Sequence, residues 1–223
     1  MGDVIGIGSY EQDGKSGNGK ETIEWEVLEV KDGKALLVSR YVLDSGVYHS
    51  EKREGLELTW VNCDLRSWIN NDFYNNAFGE AEKTKIVEST IKNPTNVYNN
   101  KETEDTTDKI FLLSTDEIVK YYGFYDWDEK RSDGYSEQLI IAPSPCCESK
   151  VLKYTVDTSF YNEFVKNYYS ENAVGKKGSF FWVRSPYNTM GYAWEMAGTG
   201  YGDTLSEVDS RRGIRPAMWV NLE

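Results

Sequence analysis

Residues 22–43, TIEWEVLEVKDGKALLVSRYVL, leave little freedom in how this part of the chain can fold. Ile23, Trp25 and Val27 alternate with Glu24 and Glu26. A period of two puts the apolar set on one face of a strand and the glutamates on the other. Asp32-Gly33 supplies the residue pair that best tolerates the positive φ of a two-residue hairpin turn. Ala35–Val38 is continuously apolar, which predicts a second strand covered on both faces. A hairpin with one fully covered strand demands more sheet beside it and another layer above it.

The remaining segments supply both. VIGIGSY (4–10) reads as a first strand and EQDGKSGNGKE (11–21) as a turn-rich loop. Leu65, Trp68, Ile69, Phe73 and Ala77 fall on one face at helical spacing, with Asn62 or Asp64 as the cap. KIVESTI (85–91) reads as a short strand, 92–108 as a polar loop and KIFLLS (109–114) as a strand. Ser114 and Glu117 form the capping-box pattern for a helix over 115–123 that stops at Gly123. Phe160, Phe164 and Tyr168 predict a helix over 159–169. SFFWVRS, YAWEMAG, TLSEV and GIRPAMWVNL then read as closing strands. In the last, Ile214, Met218, Val220 and Leu222 share one face, and Pro216, lacking an N–H, must begin the strand or lie on an edge. Strands and helices mix without βαβ alternation, so the expectation is one α+β domain over 1–223 with mainly antiparallel twisted sheets and two to four helices.

Charge narrows the partners. The 37 acids against 25 Lys and Arg leave a net charge of -12, which repels phosphate backbones and argues against nucleic acid. No apolar run approaches the ~20 residues of a membrane span. Met1 leads into GDVIGIGSY without a basic n-region, so the chain reads as cytoplasmic if Met1 is native and as cell-surface or extracellular if the sequence is a trimmed form. The three cysteines, Cys63, Cys146 and Cys147, exclude a disulfide scaffold and read as free thiols.

Chemistry is sparse. His49 is the sole histidine and sits in the polar stretch GVYHSEKREG, which reads as a solvated loop rather than a catalytic base or metal site. DWDEKRSDG (126–134) starts like a calcium loop but has Lys130 at the fifth position. No metal or cofactor is expected, and no catalytic residue stands out. Arg184, Glu195 and Arg215 sit among apolar residues and read as internal fasteners, with Glu195 the expected partner of Arg184 or Arg215. PYNTMGYAWEMAGTGYGD (186–203) combines Tyr187, Asn188, Tyr192, Trp194 and Tyr201 with glycines, a composition suited to a ligand-binding face.

The ordered series GSYEQDG, IEWEVLEVKDGKALLVSRYVLD, TWVNCDLRSWINNDFYNNAF, KIFLLSTDE, FFWVRSP and GIRPAMWVNL resembles a bacterial family of domains of unknown function with that order of motifs. Its ending is also similar to that of C-type-lectin-like domains of the formylglycine-generating-enzyme and major-paralogous-domain type. That second resemblance implies a C-type-lectin-like fold with the 185–212 loops on the ligand side. The calcium triplets, iron-binding histidines and copper-binding cysteine pair of those relatives have no counterpart here, so their chemistry does not carry over. The leading expectation is a non-catalytic recognition domain for a glycan or protein. The alternatives are a glycan-active enzyme using paired carboxylates, and a scaffold module of a surface or prophage assembly.

Overall fold

The computed structural model describes residues 2–51, 58–93, 103–123, 136–151, 153–155, 175–186, 191–200 and 203–222. Their strands are β1 (Val4–Tyr10), β2 (Glu21–Lys31), β3 (Lys34–Ser39), β4 (Asp44–Gly46), β5 (Ile86–Val87), β6 (Ser89–Ile91) and β7 (Thr106–Asp108). They continue with β8 (Lys153–Thr155), β9 (Lys177–Ser179), β10 (Phe181–Pro186), β11 (Tyr192–Met196), β12 (Asp203–Glu207), β13 (Arg212–Ile214) and β14 (Ala217–Asn221). Two five-stranded sheets dominate, in the orders β1-β2-β3-β14-β5 and β12-β11-β10-β13-β4. Pairing within them is antiparallel except between β10 and β13. The architecture is one α+β domain of mostly antiparallel, curled sheets.

The β2–β3 hairpin forms as its sequence dictates. Asp32 (φ 51°) and Gly33 (φ 71°) both take the left-handed region, and Lys31 faces Lys34 across the turn. Ile23 and Trp25 are fully buried, as are Ala35 to Ser39. A bulge between Val27 and Glu29 then shifts the alternation, so that Leu28 rather than Val27 is fully covered.

The layer on this sheet is the helix at 64–77. It runs as α1 (Asp64–Trp68), a π-helical turn over Ile69–Phe73, and α2 (Tyr74–Ala77), and a further short turn, α3 (Glu80–Lys83), follows. The Asn70 and Asn71 amides donate to the carbonyls of Arg66 and Ser67, side chains competing with the backbone ladder where it widens. Phe73 meets Tyr10 at 5.1 Å, and Phe78 stacks on Trp25 at 6.1 Å. Neither expected cap is used. Cys63 takes the position, its sulfur accepting from Arg66 N, while Asn62 accepts from Thr59 N and Asp64 turns to Ser50.

The second helix is as expected. In α4 (Thr115–Tyr122) Ser114 Oγ accepts from Glu117 N, Glu117 Oε2 accepts from Ser114 N, and Gly123 ends the helix at φ 65°. Two strand expectations change. KIVESTI splits into β5, paired with β14, and β6, paired with β7. KIFLLS is a buried segment, not a strand, that meets the sheets through a bridge between Phe111 and Ala217 and a hydrogen bond from Arg184 N to Leu113 O. The expected helix at 159–169 and the 126–134 acidic loop lie outside the described residues.

GIRPAMWVNL holds the largest difference. It is two strands in two sheets: β13 pairs with β4 and β10, and β14 with β3 and β5. Arg215-Pro216 is the crossing, and Pro216 sits just before β14, where its missing N–H costs nothing. A second crossing, residues 40–43 between β3 and β4, runs alongside it. Ser39 N donates to Pro216 O at 2.9 Å and Leu43 N to Ile214 O at 3.0 Å, so the two crossings bind each other. Ile214, Met218 and Val220 are buried, but Leu222 is half exposed.

Candidate functional site

Four arginines in or beside the motifs close the interior. Arg184 is 3 % exposed. It donates through Nη1 to Leu112 O (2.8 Å) and Glu117, through Nη2 to Lys92 O (3.0 Å) and through Nε to Asn93 Oδ1 (3.2 Å). One side chain thereby ties β10 to the exit of β6, the 109–114 segment and the start of α4. Its neighbour Ser185 accepts from Thr115 N at 2.9 Å. Arg215 sits at the sheet crossing, donating to Ser39 O (2.8 Å) and Glu26 (3.0 Å) with Tyr122 and Phe181 rings within 6 Å. Glu26 is therefore its acidic partner. Glu195 meets Arg212 and Ser206 instead, which corrects the expected pairing with Arg184 or Arg215. The reason is that Arg184 and Arg215 donate to other partners, while Ser206 of β12 donates to Glu195 and accepts from Arg212 Nη2 at 2.7 Å, which holds acid and arginine together.

The fourth is Arg66, bound to Asp108 at 2.7 Å. Asp108 is 2 % exposed and accepts four donors: Arg66 Nε, Trp60 Nε1 (3.0 Å), Thr106 Oγ1 (2.7 Å) and Asn70 Nδ2 (3.4 Å). Asn93 donates to Thr106 Oγ1, which completes a buried chain from Arg184 through Asn93 and Thr106 to Asp108, Trp60 and Arg66. Burying such groups costs several kcal/mol each unless every one is satisfied, and here nearly every donor has an acceptor.

Of the expected aromatic face, Trp194 and Tyr192 fall among the described residues. Trp194 is only 7 % exposed, in the middle of β11. Tyr192 is half-buried at the start of β11, opposite Glu207. Tyr187, Asn188 and Tyr201 lie outside the described residues. His49, expected in solvent, is 14 % exposed, with Nδ1 3.2 Å from Asp64 Oδ1; its backbone N donates to Val208 O, drawing the ring against the body of the fold.

The cleft that sequence reasoning missed lies at the other edge of the second sheet. About 370 Å³ opens between β4, the start of α1 and the turn into β13. Leu65, Trp68, Val47 and Ile214 give it an apolar wall; Asp44, Asp64, Ser45, Ser50 and Arg211 give it polar groups. The carboxylates are held in place. Asp44 accepts from Tyr10 Oη (2.5 Å) and Ser45 N (2.7 Å). Asp64 accepts from Ser50 N (2.8 Å) and Oγ (2.5 Å). Partial burial pushes the Asp64 carboxyl up, but the Ser50 hydrogen bonds and the His49 ring outweigh it and hold the group below the usual carboxylate range. Burial and the Asp44 carboxylate push the Tyr10 phenol up, which keeps it a donor. Arg211 donates through Nη1 to Ser45 O (2.7 Å) and Oγ (3.3 Å). These residues come from three distant segments, and no local pattern announces them.

A second, polar cleft of about 320 Å³ lies over the Asp108 network, lined by Arg66, Asn70, Glu88 and Lys109. Its Arg66 and Asn70 atoms already serve the interior. Glu11, Asp13 and Glu21 bring oxygens within 4.8 Å of one another, the one such trio of acids among the described residues. Those oxygens accept from the loop itself: Glu11 from Gly14 N, Glu21 from Gln12 N and Asp13 N, Asp13 from Lys15 N and Asn18. No described helix is long and apolar enough to cross a membrane.

What fold and site define is a class: an α+β domain whose motif arginines are tied to partners inside the protein. A family model described as a domain of unknown function, DUF6273, matches residues 32–222, and the chain belongs to that family. Every motif from Trp60 to Pro216 falls within the match, while β1 and β2 precede it. No curated protein and no solved structure was found to match the chain.

Proposed function

We propose that this chain is a non-catalytic recognition domain whose ligand, a glycan, sits in the cleft between β4, α1 and the turn before β13. The observation that carries this reading is the pairing of an apolar wall containing Trp68 with two positioned carboxylates and the exposed Arg211. A sugar offers an apolar C–H face to an aromatic and hydroxyls to charged groups, and pockets with few convergent polar groups on an apolar wall are where small ligands bind. Catalysis fits less well. A carboxylate general acid must hold its proton near neutrality, and Asp64 is shifted the other way.

A C-type-lectin-like arrangement, implied by the resemblance of the closing motifs, belongs to the same proposal. The stretch bearing Tyr187, Asn188, Tyr192, Trp194 and Tyr201 is the rival ligand face on that arrangement; the burial of Trp194 favours the cleft. A glycan array separates the two. Binding is expected to fall at least tenfold in Trp68→Ala and to persist in Tyr192→Ala, with no release of reducing ends on prolonged incubation. Thermal unfolding of Trp68→Ala checks that the variant is folded. Loss in Tyr192→Ala alone would move the site to the aromatic stretch, and turnover would make the protein an enzyme.

A further inference from the structure

Resting on that reading, we infer that the cleft selects a neutral sugar through two adjacent hydroxyls, one donating to Asp44 and one accepting from Arg211. The two groups are adjacent through Ser45. Its N–H holds Asp44 Oδ1 at 2.7 Å, and its carbonyl holds Arg211 Nη1 at 2.7 Å. They do not neutralise each other: among the described residues, Arg211 has no carboxylate oxygen within 4 Å and its remaining guanidinium N–H groups have no protein acceptor. Asp44 keeps a second lone pair on each oxygen after Tyr10 and Ser45 are served. A fixed acceptor beside a fixed donor suits a pair of neighbouring hydroxyls, each of which can give one hydrogen bond and take another.

The charge of the cleft decides between sugar classes. Two positioned carboxylates, Asp44 and Asp64, face one guanidinium, within a chain of net charge -12. An acidic sugar would find its carboxylate near two like charges, whose repulsion in a partly desolvated cleft opposes the single attraction of Arg211. A neutral ring meets no such opposition, and its C–H face matches the wall of Trp68, Leu65 and Ile214.

The test titrates the whole chain with methyl hexopyranosides and with the corresponding methyl uronates, following tryptophan fluorescence or amide shifts. The neutral glycosides are expected to bind at least tenfold more tightly than the uronates. Asp44→Asn and Arg211→Ala should each weaken the neutral sugars tenfold or more, and Arg211→Ala should not improve the uronates. Uronates binding as well as neutral sugars, or neutral sugars unaffected by Asp44→Asn, would overturn this inference while Trp68-dependent glycan binding still stood. Absence of any glycan binding on the array would overturn the reading beneath it.

Discussion

Arg211 and Arg215 stand four residues apart on one segment and are used in opposite ways. Arg215 is 2 % exposed at the crossing between the sheets, bonded to Ser39 O and Glu26 and flanked by two rings. Arg211 is exposed, fixed at one nitrogen by Ser45, and turned to a cleft. The same contrast separates the Arg184–Asp108 network from the cleft as regions. In the first, buried charges are matched by partners drawn from five chain segments, so the cost of desolvation is offset internally. In the second, charges are positioned by hydrogen bonds and left with capacity to spare. An arginine among aromatics is thus no mark of a site by itself; what counts is whether its donors are already spent.

The largest effect that can test this contrast is loss of a spent donor. Arg184→Ala leaves the carbonyls of Leu112 and Lys92 and the Glu117 carboxylate without their partner. Breaking such a buried pair costs about 3–5 kcal/mol. Urea unfolding should show that loss, with glycan affinity of the folded fraction unchanged. A stable Arg184→Ala protein that no longer binds would reverse the two roles.

The sequence showed part of this division and hid the rest for physical reasons. The β2–β3 hairpin, the Ser114–Glu117 cap and the Gly123 stop are local: period-two alternation, a side chain reaching three residues on, and a left-handed φ are all written in neighbouring residues. The break at Arg215-Pro216 is not, because Ile214, Met218 and Val220 are buried in either sheet and keep one apolar rhythm across it. Which acid meets which arginine depends on strand order. Glu195 could have reached three arginines on spacing alone, and only the fold brings it Arg212 of β13, with Ser206 bonded to both. Asp108 gave no signal, because it ends a stretch, 92–108, that reads as a polar loop. The cleft was invisible, since residues 44–50, 64–68 and 211–214 meet only in three dimensions.

A middle-sized effect comes from the thiols, which report burial on the two sides of the contrast. All three cysteines are free; Cys63 and Cys147 are buried, and Cys146 is partly exposed. Burial pushes the Cys63 and Cys147 thiols up to about 12. The folded state therefore keeps its protons where the unfolded chain, with thiols near 8.5, has lost them. Stability from this source is fully present below the unfolded pKa and declines as pH rises toward the folded one. Between pH 8 and 10 each buried thiol should remove roughly 1–2 kcal/mol from the unfolding free energy. Cys147→Ala should flatten that slope by about half, and a flat profile in the parent protein would show that the thiols are not buried. In the native protein Ellman's reagent should modify Cys146 quickly and the other two only on unfolding.

The smallest effect is the sharpest comparison. Arg211→Ala removes a hydrogen bond to Ser45 made by an exposed side chain, and exposed contacts of this kind change stability by less than about 0.5 kcal/mol. Arg212→Ala, one residue on, strips Glu195 of its buried ion partner and should cost several times as much, about 2–4 kcal/mol by the same reasoning that applies to Arg184. Measured together by urea unfolding and by glycan binding, the neighbouring variants should rank in opposite order: Arg212→Ala unstable and binding-competent, Arg211→Ala stable and impaired. If Arg211→Ala instead melts with Arg212→Ala, then Arg211 fastens the β4–β13 edge and the cleft loses its one uncommitted cation.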